Sequence, residues 1–229
     1  HILCDGPSLG ILLEDLFRLY SSNSQQLKAE LPPLEIQFAD FAEWERNTVE
    51  SDQSTSLEFW KENLKGAPSK VDFNKHGESH EVGTGGKTTR FRVPSELQQA
   101  VKSVSKANRT TLFTTFITAF TILIYKYTSQ EEISIGTPVS LKESKELENV
   151  TGLFINSLVI RSHISPLDTF NEHLKKMQEQ VYDCFKHKYI PYDTVVKEIS
   201  PDRDDIHNAL FNIMFALHYK AGKPNLSGL

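Results

Sequence analysis

Cysteine is scarce in this sequence. Cys4 and Cys184 are the two among 229 residues, and their wide separation offers neither a disulfide framework nor a zinc knuckle. Long apolar runs are missing as well. The densest, Leu112 to Tyr127, is interrupted by Thr114, Thr115, Thr118, Thr121 and Lys126, whereas a membrane helix needs roughly 20 apolar residues. There is no basic excess: 25 Lys and Arg face 30 Asp and Glu, a net charge of −5, which argues against a dominant nucleic-acid surface. No internal repeat is present. The chain opens at His1 without an initiator Met or a signal-peptide pattern and closes on Gly-Leu, as expected of part of a longer polypeptide. Together these absences predict a soluble, intracellular globular protein without a metal or membrane requirement.

What is present alternates between helical and strand-like patterns. Leu9, Leu12, Leu13, Leu16 and Leu19 recur at helical spacing, predicting a helix over Ser8–Tyr20 with Ser8 as its cap. Leu31-Pro-Pro-Leu34 is a rigid connector. A second helix is expected from Gln37, and a third from Ser56 to the Gly66-Ala-Pro68 stop. Residues 66–87 are polar and glycine-rich and form the best linker candidate. Beyond it, strands are expected at Thr88–Val93, at Ile133–Thr137 ending on Pro138, at Leu153–Arg161 and at Leu210–His218. Helices are expected after Pro94, over Leu112–Tyr127, over Asp168–Lys188 and over Tyr192–Ile199. The fold class predicted is therefore mixed α/β in two lobes.

Several motif candidates fail. Gly86-Lys87-Thr88 looks like the end of a phosphate loop, but the required glycine at position 81 is Glu81. His76 and His80 have metal-ligand spacing inside a segment where no helix would align them. Cys184 falls on a helix and reads as packing. What remains is His1-Ile-Leu-Cys-Asp5-Gly6-Pro7-Ser8, just ahead of a helix. A histidine can accept a proton from an attacking amine or hydroxyl near neutral pH. Gly6 would let backbone N–H groups approach a developing oxyanion. A buried Asp5 needs a cation, and Arg161 is the expected partner, with Arg90 as the fallback.

That octapeptide resembles the second half of the HHxxxDGxS signature of nonribosomal peptide synthetase condensation domains. Further blocks follow in the family's order. Gln37-Phe-Ala-Asp40-Phe-Ala-Glu-Trp44 is similar to YxDYAxWQ, and Phe59-Trp60-Lys-Glu-Asn-Leu64 to YWxxxL. Ile133-Ser-Ile-Gly136-Thr-Pro138 resembles IxIGTP, and Gly152-Leu-Phe154-Ile-Asn156 through Arg161 resembles GxFxNxxxxR. His187-Lys-Tyr-Ile-Pro191-Tyr-Asp193 is similar to HQDxPFE, and Leu210-Phe211-Asn212 through Phe215 to a PLFQVMF strand.

The resemblance implies a two-lobed fold like chloramphenicol acetyltransferase with an incomplete N-terminal lobe. Residues 1–70 would be the end of that lobe, 71–87 an interlobe linker and 88–229 most of the C-terminal lobe. It also implies amide bond formation between an acyl or peptidyl thioester donor and an aminoacyl acceptor. Ester formation and a catalytically inactive module that recruits partners are the alternatives. His1 aligns with the catalytic histidine, while Asp5, Gly6 and Arg161 would shape the active-site loop. Ser8, Asn156 and Asn212 would support the structure or line a tunnel. No cofactor would be bound by the domain itself. Its substrates would ride on phosphopantetheine arms of donor and acceptor peptidyl carrier domains, beside an adenylation domain, in the cytoplasm, without nucleic acid or membrane.

Overall fold

In the computed structural model, residues 3–25, 31–73, 85–199 and 210–218 are described, with 49–54 described by their backbone. The first helix, α1 (Gly6–Ser24), is started by Asp5, whose carboxylate accepts the Ser8 N–H at 2.9 Å. The cap thus lies three residues ahead of the expected Ser8. Asp and Ser are both good caps; here Ser8 Oγ is engaged elsewhere. The stretch expected to be two helices is one, α2 (Phe38–Leu64). At its start Asp40 accepts the Gln37 N–H at 2.7 Å, and it buries Phe41, Leu57, Trp60 and Leu64.

Next come α3 (Ser95–Ala107) and α4 (Leu112–Thr128), the latter capped by Thr111 through the Thr114 N–H at 3.1 Å. The threonines that interrupt α4's apolar run form its buried side: Thr114, Thr115, Thr118 and Thr121 lie inside while Leu123 and Tyr127 are exposed. Burial is tolerated because the hydroxyls bond preceding carbonyls, Thr118 to Thr114 at 2.6 Å and Thr128 to Ile124 at 2.9 Å. A reciprocal Thr169–Glu172 capping box opens α5 (Phe170–Lys186), and α6 (Tyr192–Ile199) follows Pro191.

The sheet pairs β1 (Glu132–Ser140) with β2 (Ile155–His163) antiparallel, from Glu132 opposite His163 to Ser140 opposite Ile155. β1 passes through Pro138, where the sequence pattern predicts a stop. On the other side of β1, Gly136 donates to the Ile213 carbonyl and accepts the Phe215 N–H, each at 2.9 Å. The Phe211 ring occupies the place where a side chain at Gly136 would project. This single parallel bridge is what the described residues show of the strand expected at Leu210–His218. Thr88–Val93 is not a strand either: it has no ladder partner among the described residues, and Phe91 is 86% exposed. Alternation gives a face but not a neighbour, and a strand needs both.

One core joins these elements. Ile133, Ile135 and Ile160 are fully buried between the sheet and α4 and α5, and Phe41, Trp60 and Leu64 of α2 belong to the same cluster. Burying each such side chain stabilises the fold by about 1.5–3 kcal/mol. The leucine stripe of α1, spaced for burial, lies in solvent, and α3 likewise exposes Leu97 and Val104.

Candidate active site

The loop at the start of α1 is fixed to the segment leading into β2, almost 150 residues away. The Asp5 N–H donates to the Gly152 carbonyl at 3.1 Å. Ser8 Oγ donates to the same carbonyl at 2.9 Å and accepts the Gly152 N–H at 3.1 Å. The Asp5 carboxylate, 2% exposed, accepts N–H groups from Ser8 at 2.9 Å and Phe154 at 3.2 Å. Burial pushes its pKa up, but the hydrogen bonds from Ser8 and Phe154 and the positive charge of Lys142 outweigh it and hold the carboxyl below the ordinary value.

Among the lowering contributions the hydrogen bonds dominate, and the Lys142 charge is the smallest. The Lys142 ammonium donates to the Val150 carbonyl at 2.7 Å and lies 4.9 Å from the centre of the Phe154 ring. Burial pulls its pKa down, against the pull of Asp5 and Glu148. Arg161, expected to pair with Asp5, does not. Its guanidinium binds Glu132 at 2.7 Å and the carbonyls of Asn63 and Lys65 at 3.1 and 3.0 Å. The physical reason is distance along β2. Asp5 meets the chain at Phe154, and seven extended residues separate that point from Arg161, about 23 Å at 3.3 Å per residue. Arg90, the fallback, is exposed. Lys142 carries no signal of its own in the sequence: it lies two residues beyond β1, and its surroundings are set only once β1 and β2 are paired.

Other blocks meet at the same place. Phe38 packs edge-on against Phe154 at 5.1 Å, and its ring fills the space a Gly152 side chain would need. Gly6, at the first helical position, is exposed and faces open space. His1 lies outside the described residues, as do His76 and His80. Asn156 donates to the carbonyls of Lys188 and Ile190, both at 2.7 Å, and accepts the N–H groups of Tyr192 and Ser157 at 3.1 and 2.8 Å. Two donors and two lone pairs are all an amide has, so this side chain serves as a brace. Asn212 likewise exchanges hydrogen bonds with the Val71 backbone at 2.8 and 2.9 Å. The His187 ring stacks on Phe59 at 4.3 Å and bonds Ser56, while its carbonyl accepts the Trp60 indole N–H at 3.0 Å.

A cavity of about 430 Å³ is walled by Phe41, Trp44, Leu141 and Tyr189 with Asp40, Glu143 and Ser144 as polar members, and includes no residue of the Asp5–Ser8 loop. A larger one, about 650 Å³, between α4 and α5 shares no residue with the loop. Among the described residues no group of three or more His, Cys, Asp or Glu could hold a metal, and no helix is long and apolar enough to cross a membrane.

With this geometry in place, comparison with known proteins gives the class. The profile of the Condensation domain family matches residues 1–225, and the chain belongs to that family. It is 33% identical over 219 residues to a linear gramicidin synthase of Brevibacillus parabrevis, covering 95% of this chain and 4% of the synthase. The crystal structure of holo-AB3403, a four-domain nonribosomal peptide synthetase bound to AMP and glycine, superposes with a TM-score of 0.76 at 26% identity, over 96% of this chain and 16% of that one. The first condensation domain of the calcium-dependent antibiotic synthetase, in complex with a substrate analogue, shares the fold at a TM-score of 0.68 and 15% identity, over 87% of this chain and 46% of that one. The chain thus spans a small part of the curated relative and just under half of the solved domain. The mixed helix–sheet architecture is the one expected of the family.

Proposed function

We propose that this chain is part of an enzyme that forms a peptide bond between two carrier-tethered substrates in nonribosomal peptide biosynthesis. The acceptor amine attacks the donor thioester carbonyl. A C–N bond forms, the C–S bond breaks, the donor phosphopantetheine thiol leaves, and the amine proton is lost. His1 is the residue assigned to this chemistry, either taking that proton or orienting the amine and stabilising the tetrahedral intermediate. Gly6 borders the reacting thioester. Asp5, Ser8, Asn156 and Asn212 are positioning residues, and Arg161 anchors the α2–β2 contact instead of the loop.

The observation that carries this reading is the double attachment of the Asp5–Ser8 loop to Gly152 and Phe154. It joins two separately recognised blocks of the condensation family into one structure and fixes the backbone four residues after His1. The partners proposed are donor and acceptor carrier domains with a neighbouring adenylation domain, all cytoplasmic. The division into 1–70, 71–87 and 88–229 belongs to the same proposal, with a packed contact between the flanking parts.

The test uses the full-length gene product with separately loaded donor and acceptor carriers, followed by intact-protein mass spectrometry. Transfer of the acyl group to an amine-bearing acceptor supports the reading, and transfer to a hydroxyl-bearing one alone replaces it with ester formation. Absence of transfer with both acceptors, despite demonstrated carrier binding, replaces it with a recruiting module.

A further inference from the structure

His173 is a titratable side chain in the core that neither the Asp5–Ser8 loop nor the proposed reaction uses. It sits on α5, which packs on α4 and β2, and is 2% exposed. Its Nε2 lies 3.1 Å from Thr121 Oγ1 of α4 and 3.5 Å from Ser162 Oγ of β2. The Thr121 hydroxyl has a single proton, and it goes to the Thr118 carbonyl at 2.8 Å. Thr121 therefore meets the ring as an acceptor, and Nε2 carries the ring proton. That leaves Nδ1 as a bare lone pair, buried and without a hydrogen-bond partner among the described residues.

A second proton can enter the ring only at Nδ1, where it creates a buried charge with no acceptor. The surrounding charges do not relieve it. Asp168, just ahead of α5, attracts such a charge but already binds Lys176 at 2.7 Å. Lys176 on α5 and His163 on β2 repel it, and Glu132 on β1 is taken up by Arg161 and His163. The buried side of α4 offers threonines and isoleucines alone. Burial dominates and holds the imidazole below its ordinary pKa. We propose that His173 is an acid-sensitive latch: the core holds it only as the neutral Nε2–H imidazole, and protonation of Nδ1 releases α5 from the sheet. The effect reaches beyond α5, which runs into the Lys188–Ile190 turn that Asn156 holds against β2. The latch rests on packing and not on the proposed reaction, so its test needs no activity measurement.

Cys184 reports the release. It lies on the same face of α5, about three turns beyond His173, with its Sγ 3.6 Å from the Val159 carbonyl of β2. Burial is complete and pushes its pKa up to about 12, so it labels slowly while α5 is in place. The experiment labels the full-length gene product with a dipyridyl disulfide, a reagent active in acid, and reads Cys184 by peptide mass spectrometry. Each rate is divided by that of the same thiol in denatured protein at the same pH. A released imidazole titrates near about 6.5, so the stability it contributes is complete above that value and is lost as pH falls below it towards the lowered native one. The Cys184 rate should therefore rise about tenfold between about pH 7.5 and 5.5 in wild type. It should stay level in His173→Gln, whose amide keeps a donor for Thr121 but takes no proton. Equal pH responses of the two proteins overturn the proposal. His163→Asn should leave the rise intact, and loss of the rise in that variant overturns the proposal as well. If His173→Gln does not fold, wild type and His163→Asn decide: a level wild-type curve overturns the latch, and a rise near about pH 6.5 in both supports it.

Discussion

Ser8 and Gly152 are hydrogen-bonded twice, the Ser8 hydroxyl donating to the Gly152 carbonyl at 2.9 Å and accepting its N–H at 3.1 Å. Ser8 is completely buried, so no water replaces the hydroxyl when it is removed. Ser8→Ala leaves the Gly152 N–H without a partner, and an unsatisfied buried donor costs about 1–3 kcal/mol. A lowered midpoint of chemical denaturation in that range is expected. An unchanged midpoint would mean that this attachment is dispensable.

Gly152 is also required for its size. A Cβ there would come within 2.1 Å of the Phe38 ring, a separation no packing tolerates. Gly152→Ala is expected to destabilise by about 1–3 kcal/mol or more through overpacking. Phe38→Leu, which removes the ring, should restore part of the loss in the double variant. The denaturation midpoints of both single variants and the double variant check this; strict additivity would contradict it.

The depressed pKa of Asp5 links loop attachment to pH. Its native value lies below that of the unfolded chain, so its contribution is complete above the unfolded value and is lost as pH falls through the native one. Asp5→Asn keeps a capping side chain but removes the carboxylate charge. Wild type should exceed this variant in stability at pH 7, with the gap narrowing as pH drops from about 5 towards 3. Denaturation midpoints across that range measure it, and a gap independent of pH would show that the carboxylate charge is not involved.

Asn156 braces the segment between α5 and α6 with all of its hydrogen-bonding capacity. Asn156→Asp turns a carboxylate towards the carbonyls of Lys188 and Ile190, replacing two donations with repulsion. We expect a loss of about 3 kcal/mol or more, the range for an unpaired buried charge. Asn156→Ala should be milder. Thermal melts of the two variants test the order, and an aspartate variant as stable as wild type would contradict it.

The helices α5 and α6 are legible in the sequence because their signals are local. Thr169 with Glu172 three residues on, and Pro191 ahead of Tyr192, announce α5 and α6 without reference to the rest of the chain. Signals that depend on a neighbour mislead. Thr88–Val93 alternates like a strand yet pairs with nothing described. The α4 threonines read as interruptions, although their back-bonded hydroxyls let them form the buried side. At the site, the blocks containing Asp5, Gly152 and Asn156 stand out as motifs. The surroundings of Asp5 do not: its hydrogen-bond partners Gly152 and Phe154 are remote in sequence, and only the fold carries Arg161 away to Glu132 while setting Lys142 over the Phe154 ring.

We propose that amide bonds form here with His1 at the reacting centre. The most direct test is a single-turnover reaction of the full-length gene product with donor- and amine-loaded acceptor carriers, comparing wild type with His1→Ala. We predict that the acceptor carrier gains the mass of the donor acyl group in wild type, and that His1→Ala lowers the rate at least 100-fold, the lower end of what a positioned acid or base contributes, roughly 10²–10⁴-fold. Equal rates for the two proteins, with carrier binding intact, would contradict the account.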